Sequence, residues 1–337
     1  MEARWYEKKE DQRVRCFLCN HHCLIKEGQR GICWVRQNNQ GTLYSLVYGK
    51  PIARHIDPIE KKPLFHFYPG SVSYSIATVG CNFSCLFCQN ADISQSKESG
   101  IIFGEKVLPE EIVSSALKAS CRSISYTYTE PTIFLEYALD IAQLASAQGL
   151  KNVLVSNGYM SPEALESLKP YLHAANVDLK AFREDFYKTQ CKAKLAPVLE
   201  SLKIMKRMGV WVEVTTLIIP TLNDSKEELT DLARFIAEEL GVETPWHVSR
   251  FHPTYRLTNL SITPVKRLQK AWEIGKNQGL RYVYTGNIPG DQGEKTFCYQ
   301  CGYQLLNRYG FSILKKNLKG DQCPQCQTPI DGMGWGS

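Results

Sequence analysis

Three cysteines pose the first chemical question in this chain. Cys81, Cys85 and Cys88 stand in "GCNFSCLFC" with the spacing C-x3-C-x2-C. Structural zinc takes four ligands, usually from paired C-x2-C knuckles. A cube of four irons and four sulfides also takes four thiolates as a rule. With three, one iron is left open, and open metal sites react where closed ones hold. The alternative is a zinc site completed by a distant ligand.

Two more groups carry ligand-like spacing. Cys298 and Cys301, then Cys323 and Cys326, form two C-x2-C pairs of zinc-ribbon or rubredoxin type. Four thiolates close that site, so its expected role is structural, with zinc first and iron second, since thiolates accept both. Near the N-terminus, Cys16, Cys19, Cys23 and Cys33 make a less regular set. Zinc is the first expectation there and an auxiliary iron–sulfur cluster the second. His21 and His22 are expected outside the ligand set, because four thiolates suffice. Of thirteen cysteines only Cys121 and Cys191 stand apart, and they read as ordinary part-buried thiols.

The chain has 337 residues, 22% of them charged, and a net charge of +6. That is a folded chain with no dense basic run of the kind that binds nucleic acid. The first residues, "MEARWYEKKEDQRVRC", are charged and lack a signal-peptide apolar core. No apolar run is long enough to span a bilayer. The expectation is a cytoplasmic protein without a membrane partner, whose cysteines bind metal rather than pair as disulfides.

Something must position the three-cysteine loop. From about residue 72 to 286 strand-like and helix-like segments alternate. "VSYSIATV", "RSISYTYT", "NVLVSN", "AANVDLKA", "WVEVTTLII", "WHVSRFH" and "LRYVYTG" read as strands. Between them lie helical patterns such as "PEEIVSSALKAS" and "SKEELTDLARFIAEEL". Pro109 and Pro162 fall in first-turn positions, and Ser161 and Ser225 in cap positions. Alternation of this kind implies right-handed crossovers and a parallel sheet. It leaves a doubly wound sheet, a full barrel and an open partial barrel all standing. Ligands of such folds bind at the loops after the strands' carboxyl ends, and the three-cysteine loop is the first of these.

The words of the sequence go further. "CNFSCLFC" matches the signature of radical S-adenosylmethionine (SAM) enzymes, with Phe87 as its aromatic position. "DPIEKKPLFHFYPGS", "YTYTEPT", "SNGY", "VDLKAF", "TLIIPTLND", "FHPTY" and "YTGNIPG" resemble the radical SAM member of the AmmeMemoRadiSam group, relatives of pyruvate formate-lyase activating enzyme. The resemblance covers nearly the whole chain. It implies an α/β fold, a partial (β/α)6 barrel over residues 71–290, with Cys-rich metal-binding extensions at 1–70 and 291–337. It implies a 4Fe–4S cluster on Cys81, Cys85 and Cys88, SAM on the open iron, and a low-potential electron donor of flavodoxin or ferredoxin type.

The same resemblance suggests SAM contacts. Phe87 would approach the adenine. Glu130, in "TEP" where relatives often carry G-G-E, would take the amino group; the glycines are absent. Asn157 would meet the ribose or the methionine part. Asp178 and Lys180 share one strand face, and Lys180 would pair with the carboxylate as a point charge. His252 matches a histidine near SAM in activating enzymes. Each has a structural alternative: a helix cap for Glu130, turn chemistry for Asn157, a buried ion pair for Asp178 and Lys180, a core histidine for His252 and, more so, for His247. Glu60, Lys61, Lys62 and His66 in the connecting segment read equally as a packed linker or as a lid or docking surface.

Two functions follow. One is an oxidoreductase-type radical SAM enzyme, acting as an activase or on another protein, an RNA or a small molecule. The other is a non-enzymatic zinc-ribbon module, with nucleic-acid binding left open.

Overall fold

The structure, a computed structural model, describes residues 1–95 and 100–336. Its centre is an eight-stranded sheet. Strand β1 (Ala53–Pro58) lies antiparallel to β2 (Val72–Ala77). The sheet then runs in chain order through β3 (Ser123–Tyr126), β4 (Lys151–Ser156), β5 (Ala174–Asp178), β6 (Trp211–Ile218), β7 (Trp246–Arg250) and β8 (Val283–Gly286). All pairings from β2 to β8 are parallel. The strand order is linear, with β1 and β8 at the two edges. This is the open α/β arrangement among the three that the alternation allowed.

Six helices make the crossovers: α1 (Pro109–Lys118), α2 (Leu135–Ala147), α3 (Pro162–Leu168), α4 (Leu195–Arg207), α5 (Lys226–Phe235) and α6 (Val265–Asn277). Their starts follow local chemistry. Ser161 Oγ accepts the Ala164 N–H at 3.2 Å, and Ser225 Oγ accepts that of Glu228 at 3.2 Å. Each satisfies one of the orphan donors of a first turn. Gly149, at φ +77°, ends the turn after α2 in the left-handed region that glycine reaches without strain. Strands covered on both faces are almost wholly apolar; β5 and β6 are buried along nearly their full length.

Smaller sheets flank this layer. Residues 6–25 form a three-stranded antiparallel sheet and 36–45 a hairpin. Thr296–Phe297, Gln304–Tyr309 and Ser312–Lys316 form another three-stranded sheet.

The connecting segment is packed, not a lid. Glu60, Lys62 and His66 are buried. Lys62 Nζ reaches Asp57 at 2.7 Å, and Tyr128 also donates to that carboxylate. Phe65 N and His66 N donate to Glu213 at 3.0 and 2.8 Å, near the start of β6. The segment therefore closes the amino ends of the strands, opposite the cysteine loop. Among the described residues, no helix is long and apolar enough to cross a membrane.

Candidate metal and cofactor site

The loop after β2 brings Cys81, Cys85 and Cys88 to the carboxyl ends of the parallel strands. Several bonds fix its path. Ser84 N donates to Cys191 O at 3.0 Å, and Leu86 N to Gln190 O at 3.0 Å. Asn90 Nδ2 donates to Tyr128 O at 2.7 Å. Cys88 Sγ lies 3.1 Å from Ser94 Oγ, and the Phe83 N–H donates to Cys81 Sγ at 3.3 Å.

Sulfur spacing separates the three cysteine groups. Zn–S bonds of about 2.3 Å put the sulfurs of a tetrahedral single-metal site about 3.8 Å apart. Cys298 and Cys326 have sulfurs 3.6 Å apart, and so do Cys301 and Cys323. All four lie within 4.8 Å of one another. Among the described residues no other set of three or more cysteine, histidine or acidic side chains closes this far. The C-terminal four thus fit one ion. The loop triad and the N-terminal four do not close this far.

Around the triad the structure gathers the other expected residues. Phe87 is buried, its ring 5.7 Å from that of Phe186. Lys180 Nζ lies 5.9 Å from the Phe87 ring centre and 2.8 Å from Asp178 Oδ2. Strand alternation placed this pair on one face, and the ion pair is formed. Burial works against the Lys180 charge, but Asp178 and the Cys85 and Cys191 sulfurs hold the ammonium protonated. Cys85 is pulled below the usual thiol range by a hydrogen bond from Cys191 and by Lys180, against burial. Burial pushes Cys81 and Cys88 up.

Glu130 is buried and does act as a cap. Its Oε1 accepts from Thr132 N at 3.0 Å, Thr132 Oγ1 at 2.5 Å and Ser156 Oγ at 2.8 Å, while among the described residues Oε2 accepts only Asn157 N, at 2.8 Å. Burial raises its pKa. Asn157 makes the expected turn, its Oδ1 accepting the Tyr159 N–H at 3.1 Å. It also reaches the loop, with Nδ2 donating to Asn82 Oδ1 at 2.8 Å and lying 3.9 Å from Cys81 Sγ. A Cβ at the next residue, Gly158, would sit 2.9 Å from Val177 Cγ1, so that turn needs glycine.

His252 is at the same end, just past β7, but is exposed. It is therefore no core histidine. That role falls to His247, buried and 2.6 Å from Glu213 at the opposite end.

Two residues were not foreseen. Cys191, read as an isolated thiol, is fully buried and hydrogen-bonded to Cys85. It closes a π-helical turn, Tyr187–Cys191, and such turns often mark functional sites. Asn82 carries the link between Cys81 and Asn157. Its place inside the motif was the available signal; for Cys191 there was none.

Comparison with known proteins gives three kinds of likeness. Residues 75–236 match the Radical SAM superfamily. An uncharacterized protein of Methanocaldococcus jannaschii is 48% identical over 98% of this chain and 98% of its own. A pyruvate formate-lyase-activating enzyme of Clostridium pasteurianum is 27% identical over 50% of this chain and 72% of its own. The solved structure of a radical SAM methyltransferase from Sphaerobacter thermophilus superposes with a TM-score of 0.52 at 16% identity, covering 68% of this chain and 71% of that one.

Proposed function

We propose that this chain, which belongs to the radical SAM superfamily and to the family of its full-length Methanocaldococcus jannaschii relative, is an activating-enzyme-like radical SAM enzyme acting on a protein substrate. The superfamily implies a 4Fe–4S cluster and SAM. The observation that supports this reading best is the loop triad. Its three sulfurs do not close together as the C-terminal four do, lie at the ligand-binding end of a parallel sheet, and sit beside the partly buried Lys180 ammonium.

A 4Fe–4S cluster bound here would supply the electron for reductive cleavage of SAM and, through it, hydrogen-atom abstraction from the substrate. This chain's residues bind and orient. Cys81, Cys85 and Cys88 would hold the cluster. Lys180, its charge maintained by Asp178, offers the SAM carboxylate a fixed positive partner. Glu130 Oε2 accepts one bond and so keeps a lone pair for the SAM amino group. Asn157, anchored to Asn82, faces the ribose or methionine part. Phe87 packs beside the adenine and His252 stands at the exposed rim. An external low-potential carrier of flavodoxin or ferredoxin type gives the electron.

The C-terminal four cysteines hold zinc in a structural role. The finer resemblance to the AmmeMemoRadiSam group, and the location in the cytoplasm, belong to this reading too.

The test is anaerobic. Reconstituted protein with SAM and dithionite should release 5′-deoxyadenosine, and Cys81→Ala, Cys85→Ala or Cys88→Ala should each abolish it. A colourless protein that holds only zinc and is unchanged by those substitutions would overturn the reading in favour of a metal-binding module.

A further inference from the structure

The N-terminal cysteines enclose something. Cys16, Cys19, Cys23 and Cys33 line one cavity together with Arg36 and Asn82. No three of the four sulfurs lie within 4.8 Å of one another, whereas the C-terminal four all do. A single zinc would demand that closeness.

The lining carries two idle donors. Arg36 is buried, and its two terminal nitrogens are bonded to Glu136 at 2.9 and 2.7 Å. Its Nε has no acceptor among the described residues. Asn82 is buried as well, and its Nδ2 likewise lacks one. A buried N–H without a partner is costly, so two such groups on residues lining one cavity call for an acceptor within it. Sulfides and thiolates of an iron–sulfur cluster are such acceptors, and hydrogen bonds to them tune its potential. A guanidinium beside Cys16 and Cys33 also offsets the negative charge that four thiolates bring.

The cavity adjoins the radical site. Asn82 lines it and follows Cys81 directly in the loop. His21 lies 2.8 Å from Asn82 O, and Asn20 Nδ2 donates to Met160 O at 2.9 Å, so the cysteine segment is docked on the loop after β4.

We propose that Cys16, Cys19, Cys23 and Cys33 ligate an auxiliary 4Fe–4S cluster, with Arg36 Nε and Asn82 Nδ2 as its hydrogen-bond donors, placed to pass electrons to the loop cluster. A reduced low-potential one-electron carrier loses one electron to it, and it returns to its oxidised state by handing that electron on. No covalent bond changes and no proton moves. The relay, though not the site, rests on the loop reading above.

Iron, acid-labile sulfide and zinc are counted on three anaerobically reconstituted full-length proteins. These are the wild type, a Cys81→Ala/Cys85→Ala/Cys88→Ala variant and a Cys16→Ser/Cys19→Ser variant. The expected counts are about eight irons in the wild type and about four in each variant, with one zinc throughout. The loop variant should keep a reduced paramagnetic signal that SAM does not alter. The wild-type signal should be broader than the sum of the two variants' signals, because the clusters are close. A loop variant with no iron and a second zinc would overturn the proposal. Iron retained in the loop variant but already only about four in the wild type would sink the loop reading and leave this site standing. If a variant fails to fold, Mössbauer counting of the wild type decides between about eight irons and about four.

Discussion

Glu130 accepts the Asn157 backbone N–H at 2.8 Å, tying the chain just beyond β3 to the chain just beyond β4. The ladder between those strands has ended by then, its last pair being Tyr126 and Leu154. A buried carboxylate takes over where the sheet stops, and it sets the floor beneath the cysteine loop through Asn157 and Asn82.

Glu130→Gln tests that floor. The amide keeps the shape but turns one acceptor oxygen into a donor facing donors. Leaving buried groups unsatisfied costs about 1–3 kcal/mol each. The variant should unfold with a stability lower by about 2–4 kcal/mol and bind SAM at least tenfold more weakly once loaded with iron. Urea titration and equilibrium binding measure the two. Unchanged SAM affinity in a destabilised variant would reduce Glu130 to a cap.

Lys180→Met separates charge from packing. Methionine keeps most of the apolar stem, and the remaining Asp178 is partly exposed, with a side-chain exposure of 38%, so stability should fall by less than about 1 kcal/mol. SAM affinity should fall on the order of tenfold or more through loss of the carboxylate's partner, while iron content stays at the wild-type level. Wild-type affinity in this variant would return the pair to a purely structural role.

Much of this was readable from residue order. The strand–helix alternation, the Ser161 and Ser225 caps and the one-face placement of Asp178 and Lys180 are local consequences of sequence. What could not be read were pairings across long separations. Cys191 meets Cys85 only because the turn Tyr187–Cys191 folds back over the loop. His66 meets Tyr284 across 218 positions. The linker's packing was hidden because "EKK" looks solvated, while Asp57, five residues before Lys62, and the distant Tyr128 bury its ammonium.

The C-terminal module should depend on its ion. Its own apolar core is small, built from Leu305, Leu306, Ile330 and Trp335 around Cys298 and Cys323. A core of that size supplies little stability, and a structural metal ion on the four cysteines would contribute the rest. Cys323→Ser should lose one zinc per chain and lose amide-exchange protection across residues 296–330, with the iron count unchanged. Full protection in the zinc-free variant would contradict a structural role.

Acid should loosen the join between the linker and the C-terminal end. His66 is enclosed by Tyr282 at 4.1 Å and Trp335 at 5.0 Å between ring centres. Its Nδ1 faces Asp331 O at 2.7 Å and its Nε2 faces the Tyr284 hydroxyl at 2.6 Å. A neutral ring satisfies both, donating at Nδ1 and accepting at Nε2. Burial pushes its pKa down to about 4 from 6.5. Between those values the unfolded chain binds more protons than the folded one, so stability rises with pH across the window. The contribution is complete above about 6.5 and is lost as pH falls toward 4. From pH 7 to pH 5 it amounts to about 2 kcal/mol. His66→Gln removes the titration and keeps a donor and an acceptor. Acid also loosens metal–thiolate bonds, so the quantity to measure is the difference in urea stability between wild type and variant at the two pH values. That difference should shrink by about 2 kcal/mol at pH 5; a pH-independent difference would mean that His66 does not titrate as a buried neutral ring.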